Sequence, residues 1–313
     1  MESDKQTVAG AIRHVVEKML CRSYAKNTFM KIKLYEILFD MALSGTTRNE
    51  REIFYMAVNT FGSQKSLNRL ISGVMHETGL SKANLGIRNT LKGTFIGSIA
   101  LIRTDKSNLT SSVEKLCSQS LSPQLIPDMS CVTDAFTLHP IIVVVEKDTI
   151  LHRIAAVLAE EPYFSQILFV CGKGYPCRNT ITLLRMLEKS SAAILGLFDF
   201  DPFGIHIYSV YKYGAKTSSN LGINSIQRIG IHAEHITSYN IYTSDFMDLN
   251  KYDISMINKL EQIDELASDA LFIKQLGKKL EMEALFSTFT HVIKSIISQK
   301  LKQIHYESKQ HHK

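Results

Sequence analysis

The chain has 313 residues, 45% of them hydrophobic and 21% charged, with 36 Lys and Arg against 30 Asp and Glu, giving a formal net charge of +6. That length accommodates two separate cores. The composition excludes a disordered or collagen-like chain, and no apolar run approaches the length of a membrane-spanning helix.

The positive balance, with a pI near 8.9, is compatible with a nucleic-acid partner without requiring one. Five cysteines (Cys21, Cys117, Cys131, Cys171, Cys177) form no C-x-x-C pair, so free thiols are expected in place of a zinc site or a disulfide frame. The start, Met-Glu-Ser-Asp-Lys, lacks the apolar stretch of a secretory signal, and a cytosolic or nuclear protein is expected.

Helical spacing of Val8, Ile12, Val15, Val16 and Leu20 predicts a helix over 7–20, and a second is predicted over about 28–43. Ser44-Gly45-Thr46-Thr47 then breaks the pattern, with Thr47 the expected N-cap of a third helix running from Arg48 to about Thr60. Ile53, Ala57 and Phe61 form its core stripe. Arg51 and Tyr55 lie four apart on a neighbouring face, where an arginine could assist a phenol or steady a phosphate; a solvated stack would leave the same spacing.

Gln64–Thr78 is the next predicted helix, with Gly79 as its C-cap. Gly93–Ile102 is β-prone and preceded by Lys82, Arg88 and Lys92, so helices followed by a basic hairpin suggest a winged helix. Thr104–Leu138 is polar and Ser-rich and reads as a linker or an inserted loop.

Ile141–Val145 is five consecutive β-branched residues, a buried strand closed by Glu146-Lys147-Asp148, with a helix over Thr149–Leu158. Ile167–Val170 is the next strand, ending in Cys-Gly-Lys-Gly-Tyr-Pro, whose glycines admit a phosphate and whose Lys173 supplies charge. A helix over about Thr180–Glu188 leads to a third strand at Ala193, followed by Asp199-Phe-Asp201-Pro202.

Strand, helix, strand, helix, strand describes a parallel sheet with right-handed crossovers. Glu146, Asp199 and Asp201 then all fall at strand carboxyl ends, the edge where ligands gather in such sheets. Adjacent carboxylates repel, and an oxygen-preferring divalent cation such as magnesium relieves them; an Asp turn capping the next helix is the alternative. Helices near Ile254–Leu266 and Ser268–Gln299, with Gly277 a break, lead to an expected frayed end over Ile304–Lys313.

Taken together, these pieces resemble the topoisomerase VI A subunit family, and within it the meiotic branch that makes double-strand breaks. The likeness is carried by Arg51-Glu-Ile-Phe-Tyr55, Phe61-Gly-Ser-Gln64, Lys92-Gly-Thr-Phe-Ile-Gly97, Val144-Val-Glu-Lys-Asp148, Gly172-Lys-Gly-Tyr-Pro176 and Asp199-Phe-Asp-Pro-Phe-Gly204. Gly204-Ile-His-Ile, Tyr211-Lys-Tyr-Gly214 and Lys279-Leu-Glu-Met-Glu-Ala-Leu285 favour the meiotic branch.

The resemblance implies an α+β chain of two domains. The first is a catabolite-activator-like winged helix over 1–105 carrying the nucleophilic tyrosine; after a linker over 106–138 comes a Toprim α/β domain over 139–313. By position, Tyr55 matches the nucleophile and Arg51 the arginine beside it. Glu146, Asp199 and Asp201 match the Mg2+ ligands, and Lys92, Lys173 and Tyr175 are expected to contact DNA. The implied reaction is attack of Tyr55 on a backbone phosphate of double-stranded DNA, leaving a 5′-phosphotyrosyl link. A homodimer would cut both strands, Tyr55 of one copy facing the acids of the other. A topoisomerase VI B-like partner, nuclear localisation and no membrane association are also implied.

Two positions depart from the family pattern: Cys177 stands where an acid is usual and Ile181 where an arginine is common. Competing readings are one component of an ATP-dependent topoisomerase working with an ATPase partner, a non-catalytic DNA-binding scaffold, and an Asp-x-Asp phosphohydrolase.

Overall fold

A computed structural model of the chain describes residues 10, 26–88, 90–105, 110–118, 121–191, 193–214, 222–230, 232, 246–283 and 286–310. Apart from Gly10, the helix expected over 7–20 lies outside them, as do residues 311–313 of the expected frayed end. The chain divides into two compact units, Met1–Thr90 and Leu91–Lys313.

The first unit is helical. Helix α1 (Lys26–Ser44) buries Leu34, Tyr35, Ile37, Leu38 and Met41 against Ile53, Phe61, Leu67, Ile71 and Val74. A two-residue strand β1 (Arg48–Asn49) precedes the short helices α2 (Glu50–Met56) and α3 (Val58–Phe61). Helix α4 (Gln64–Thr78) has the expected bounds and a left-handed Gly79 as its expected C-cap, and Ser63 is its N-cap. Strand β2 (Ile87–Arg88) pairs in parallel with β1.

The helix expected from Arg48 to Thr60 differs in two ways. It starts two residues later, because Asn49 and not Thr47 is the cap: the Asn49 side chain accepts the Arg51 and Glu52 N–H groups, and Glu52 accepts the Asn49 N–H in return. It also breaks at Ala57, whose φ of −149° and ψ of 52° separate α2 from α3.

The β-prone stretch expected as the hairpin of a wing lies in the second compact unit, which begins at Leu91. Strand β3 (Thr94–Ile96) is buried throughout and pairs antiparallel with β9 (Ile167–Cys171). Strand β4 (Ser98–Asp105) turns instead into a three-stranded antiparallel sheet, between β5 (Thr110–Cys117) and β7 (Val132–Phe136). Much of the expected linker over 106–138 is therefore strand. Its Ser and Thr residues lie on a partly solvated sheet, where an apolar run is not needed.

The main sheet has the order β11-β10-β8-β9-β3-β6, with β6 at Gln124–Leu125. Strands β8 (Ile141–Val145), β9, β10 (Ala193–Leu197) and β11 (Ile226–Ile229) are mutually parallel, whereas β3 and β6 are antiparallel additions. All residues of β8, β9 and β10 are buried, as unbroken apolar runs require in a sheet covered on both faces. Helices α5 (Asp148–Leu158), α6 (Arg178–Leu187) and α7 (Pro202–Tyr213) follow β8, β9 and β10 in turn.

The carboxyl-terminal helices are segmented differently from the sequence expectation. They are α8 (Lys251–Leu260), α9 (Asp264–Leu276) and α10 (Phe286–Gln310). Gly277 caps α9 in a left-handed conformation, then β13 (Lys278–Lys279) pairs with β12 (Met247–Asp248). Helix α10 continues through Ile304–Gln310, where a frayed end was expected; its apolar positions Ile293, Ile297 and Leu301 are buried against the second core. Among the described residues no helix is long and apolar enough to cross a membrane, and Cys117, Cys131, Cys171 and Cys177 are free thiols.

Candidate active site

In the first unit, the capping box fixes where α2 begins, and helical spacing then decides which face each side chain takes. Ile53 is fully buried, Phe54 leans on the core and Tyr55 is 65% exposed, its ring 5.6 Å from that of Phe54. Arg51, one turn earlier, is also exposed. The phenol expected to act as a nucleophile is thus presented to solvent on an anchored helix. Because Asn49 holds that helix start, Asn49→Ala is expected to cost about 1 kcal/mol of stability, read as a lower midpoint in urea unfolding.

In the second unit, the parallel register of β8 and β10 places Val145 beside Leu197, so Glu146 and Phe198-Asp199 leave the sheet together. The Glu146 N–H donates to the Leu197 carbonyl at 3.1 Å, and the Asp199 N–H donates to Glu146 Oε2 at 3.1 Å. Glu146 is 8% exposed and Asp199 2%. Burial, followed by mutual repulsion, raises the Glu146 carboxyl well above the usual range, and burial raises Asp199 despite the pull of Lys147. Burial also pushes Asp201 up to about 6, against a hydrogen bond from the Gly204 N–H.

Asp201 has a second duty. It is the N-cap of α7, accepting the Gly204 N–H, with Pro202 at the first helical position. The capping alternative is thus realised at Asp201, one of the three residues expected to hold the cation. Gly204 is required by close approach: a Cβ there would lie 2.5 Å from the Asp199 carbonyl oxygen and 2.9 Å from its nitrogen. Gly204→Ala is expected to destabilise the protein by about 1–3 kcal/mol and to displace Asp199, measurable as a lower denaturation midpoint.

Among the described residues, no three Asp, Glu, His or Cys side chains close around a single point. Both oxygens of Asp199 are engaged by other groups. Oδ1 accepts the Met282 N–H at 3.0 Å, and Oδ2 pairs with Lys147 Nζ at 2.8 Å. The donor set nevertheless suits a hard divalent cation, being all oxygen, buried and electrostatically strained by its own proximity.

The loop after β9 folds over this edge. The Gly174 N–H donates to the Glu146 carbonyl at 2.8 Å, and Gly172 sits where a Cβ would be 2.0 Å from the Tyr211 hydroxyl. Lys173 adopts a left-handed φ of 55°, uncommon for a side-chain-bearing residue, and pairs with Asp148 at 2.7 Å. Lys92 Nζ donates to the Tyr175 carbonyl at 3.1 Å. The Tyr175 hydroxyl lies 2.7 Å from His206 Nδ1. Burial, then the charges of Glu146 and Asp201, raise the Tyr175 phenol, which keeps it protonated. The three expected DNA-contacting residues are thus gathered around one loop beside the acids.

The two departures from the family pattern have structural consequences. Cys177 is the N-cap of α6 without a side-chain cap hydrogen bond, its thiol 3.3 Å from the Thr180 hydroxyl, and Ile181 packs against the core. Residues that sequence reasoning passed over are Lys147, His206, Glu281, Met282 and Glu283. All lie in motifs already quoted, but nothing local shows that the 279–283 segment returns to the acidic edge.

The family model of the topoisomerase 6 A-subunit/Spo11 Toprim domain matches residues 141–301, and that of type IIB DNA topoisomerase matches 27–87. A probable meiosis-specific protein SPO11 homolog of Encephalitozoon cuniculi is 43% identical over 297 residues, covering 95% of this chain and 96% of that one. Meiotic recombination protein rec12 of Schizosaccharomyces pombe is 26% identical, covering 86% and 77% respectively. The A subunit of DNA topoisomerase 6 from Arabidopsis thaliana is 24% identical, covering 90% and 67%. Residues 141–301 are accordingly a Toprim domain, a metal-binding fold, and the chain belongs to the topoisomerase 6 A-subunit/Spo11 family of type IIB topoisomerase-like, DNA-cleaving enzymes.

Proposed function

We propose that this protein forms meiotic DNA double-strand breaks by transesterification, with Tyr55 as nucleophile. The observation that carries this reading is the exposed phenol of Tyr55 on a capped helix whose neighbouring aromatic, Phe54, has no hydroxyl to compete. The Tyr55 oxygen gives up its proton to water and attacks a backbone phosphorus, the bond from phosphorus to the 3′-oxygen breaks, and that oxygen takes a proton from water to leave as a 3′-hydroxyl. The ester is exchanged, not hydrolysed, so the cutting step consumes no nucleotide. Arg51, one turn from Tyr55 and also exposed, steadies the phosphate charge.

Glu146, Asp199 and Asp201 are the residues that would hold Mg2+. When bound there, the ion supplies charge neutralisation at the phosphate. Lys92, Lys173 and Tyr175 contact the DNA backbone, which orients the strand without reading its sequence.

One tyrosine cuts one strand, so a duplex break requires two copies, with Tyr55 of one copy serving the acids of the other. The two relatives whose names specify meiosis or meiotic recombination favour a nuclear protein, and the one named as the A subunit of DNA topoisomerase 6 favours a B-like partner. The test is to incubate the protein and any such partner with Mg2+ and labelled duplex DNA, then map the adduct by mass spectrometry. A 5′-linked nucleotide on Tyr55 is the expected result; an adduct on another residue, or free 5′-phosphate ends without adduct, would overturn the assignment.

A further inference from the structure

Asp199 is the most deeply buried of the three acids, and neither of its oxygens is open. Oδ1 is held by a backbone N–H, a fixed donor, whereas Oδ2 is held by an ammonium on a flexible side chain. Lys147 has two further partners beside Asp199: Glu281 Oε2 at 3.2 Å and Glu283 Oε2 at 3.3 Å. Glu283 is itself oriented, its Oε1 accepting the Thr149 hydroxyl at 3.0 Å. The lysine side chain is 30% exposed, so it retains room to move.

We infer that Lys147 is the internal counter-cation of Asp199, released onto Glu281 and Glu283 when Asp199 takes a divalent cation. The inference rests on the metal reading proposed above and adds a positioning residue to it. A bare cluster of Glu146, Asp199 and Asp201 would be costly to bury, and one ammonium offsets part of that repulsion. The same ammonium competes with the ion for Asp199 Oδ2, because both are drawn by the same lone pairs. Glu281 and Glu283 lower the cost of release by accepting the ammonium a short distance away. They reach this position because Leu280 exchanges both backbone hydrogen bonds with Phe200, each 3.1 Å long, which lays the 278–283 segment beside Asp199.

Competition gives opposite signs for stability and affinity, which a purely structural lysine would not. Binding of Mn2+ to the full chain, followed by the electron paramagnetic resonance of the free ion, reads the affinity, and thermal unfolding reads the stability. Lys147→Met is expected to unfold at a lower temperature without metal, yet to bind Mn2+ about tenfold more tightly, as removal of one competing unit charge implies. Glu283→Gln is expected to weaken Mn2+ binding, since the ammonium then stays on Asp199. In the double variant the Glu283→Gln effect should vanish, because it acts only through the lysine.

Unchanged or weaker Mn2+ binding by Lys147→Met would overturn the inference. So would an equal effect of Glu283→Gln with and without the lysine, which would mark Glu283 as a direct ligand. Should Lys147→Met fail to fold, Glu283→Gln alone decides: affinity equal to or above wild type refutes competition. Asp199→Asn is the control, for if it binds Mn2+ as wild type does, the metal reading itself fails, independently of Lys147.

Discussion

A Tyr55→Phe protein is expected to form no covalent protein–DNA adduct, a loss of at least about a thousandfold, with unchanged stability and near-unchanged DNA binding. Stability should hold because the ring stays and the lost hydroxyl belongs to a side chain that is 65% exposed. Binding should hold because phosphate contacts and charge, not one phenol, dominate affinity for DNA. The loss of chemistry should be complete, since Phe54 offers no second oxygen and Arg51 none at all. Trapping with denaturant and labelled oligonucleotide measures it. Residual adduct at more than a few per cent of wild type would move the nucleophile elsewhere.

Asp199→Asn is expected to have the second-largest effect: loss of the Mg2+-dependent part of DNA binding and cleavage, with the fold retained. The amide keeps the shape of the carboxylate, and its oxygen can still accept the Met282 N–H, which is 3.0 Å from Asp199 Oδ1 in the native protein. What disappears is one negative charge among buried acids, and with it the anionic partner of Lys147 at 2.8 Å. Titrating Mg2+ against DNA binding for both proteins gives the test, far-UV circular dichroism confirming the fold. Identical Mg2+ dependence would count against a role for Asp199 as a ligand. Binding lost at every Mg2+ concentration, with no ion dependence in wild type, would point to a different role for the edge.

Much of the site was legible because the chemistry is written in short segments whose local structure is strongly determined. Ile141–Val145 has no reasonable fate but a buried strand, and the acid that follows it must then stand at the sheet's edge. The same holds for Ala193–Leu197 and the two aspartates beyond it. Four-residue spacing put Arg51 and Tyr55 on one side of a helix whatever the helix packed against.

The errors share a different cause. Thr47 was a chemically sound cap, but Asn49 had Glu52 three residues on to complete a reciprocal pair. Gly93–Ile102 was rightly read as extended, yet extension does not name a partner, and Phe95 found Val170 and not a wing. The Ser-rich stretch carries its strands without an apolar run, because the sheet formed by β5, β4 and β7 is partly solvated.

By itself, then, the sequence determined the order of helices and strands at the centre of each unit, the edge at which the acids emerge and the helix face bearing Tyr55. Those features depend on periodicity and on the chemistry of neighbours in the chain. Tertiary structure alone decided that Met282 comes to rest against Asp199, more than eighty residues away along the chain, with Glu281 and Glu283 against its partner Lys147. It also decided that Lys147 spends its charge inside the acidic edge. Pairing between Phe200 and Leu280 is made by backbone groups, which every residue possesses, so no side-chain pattern announces it.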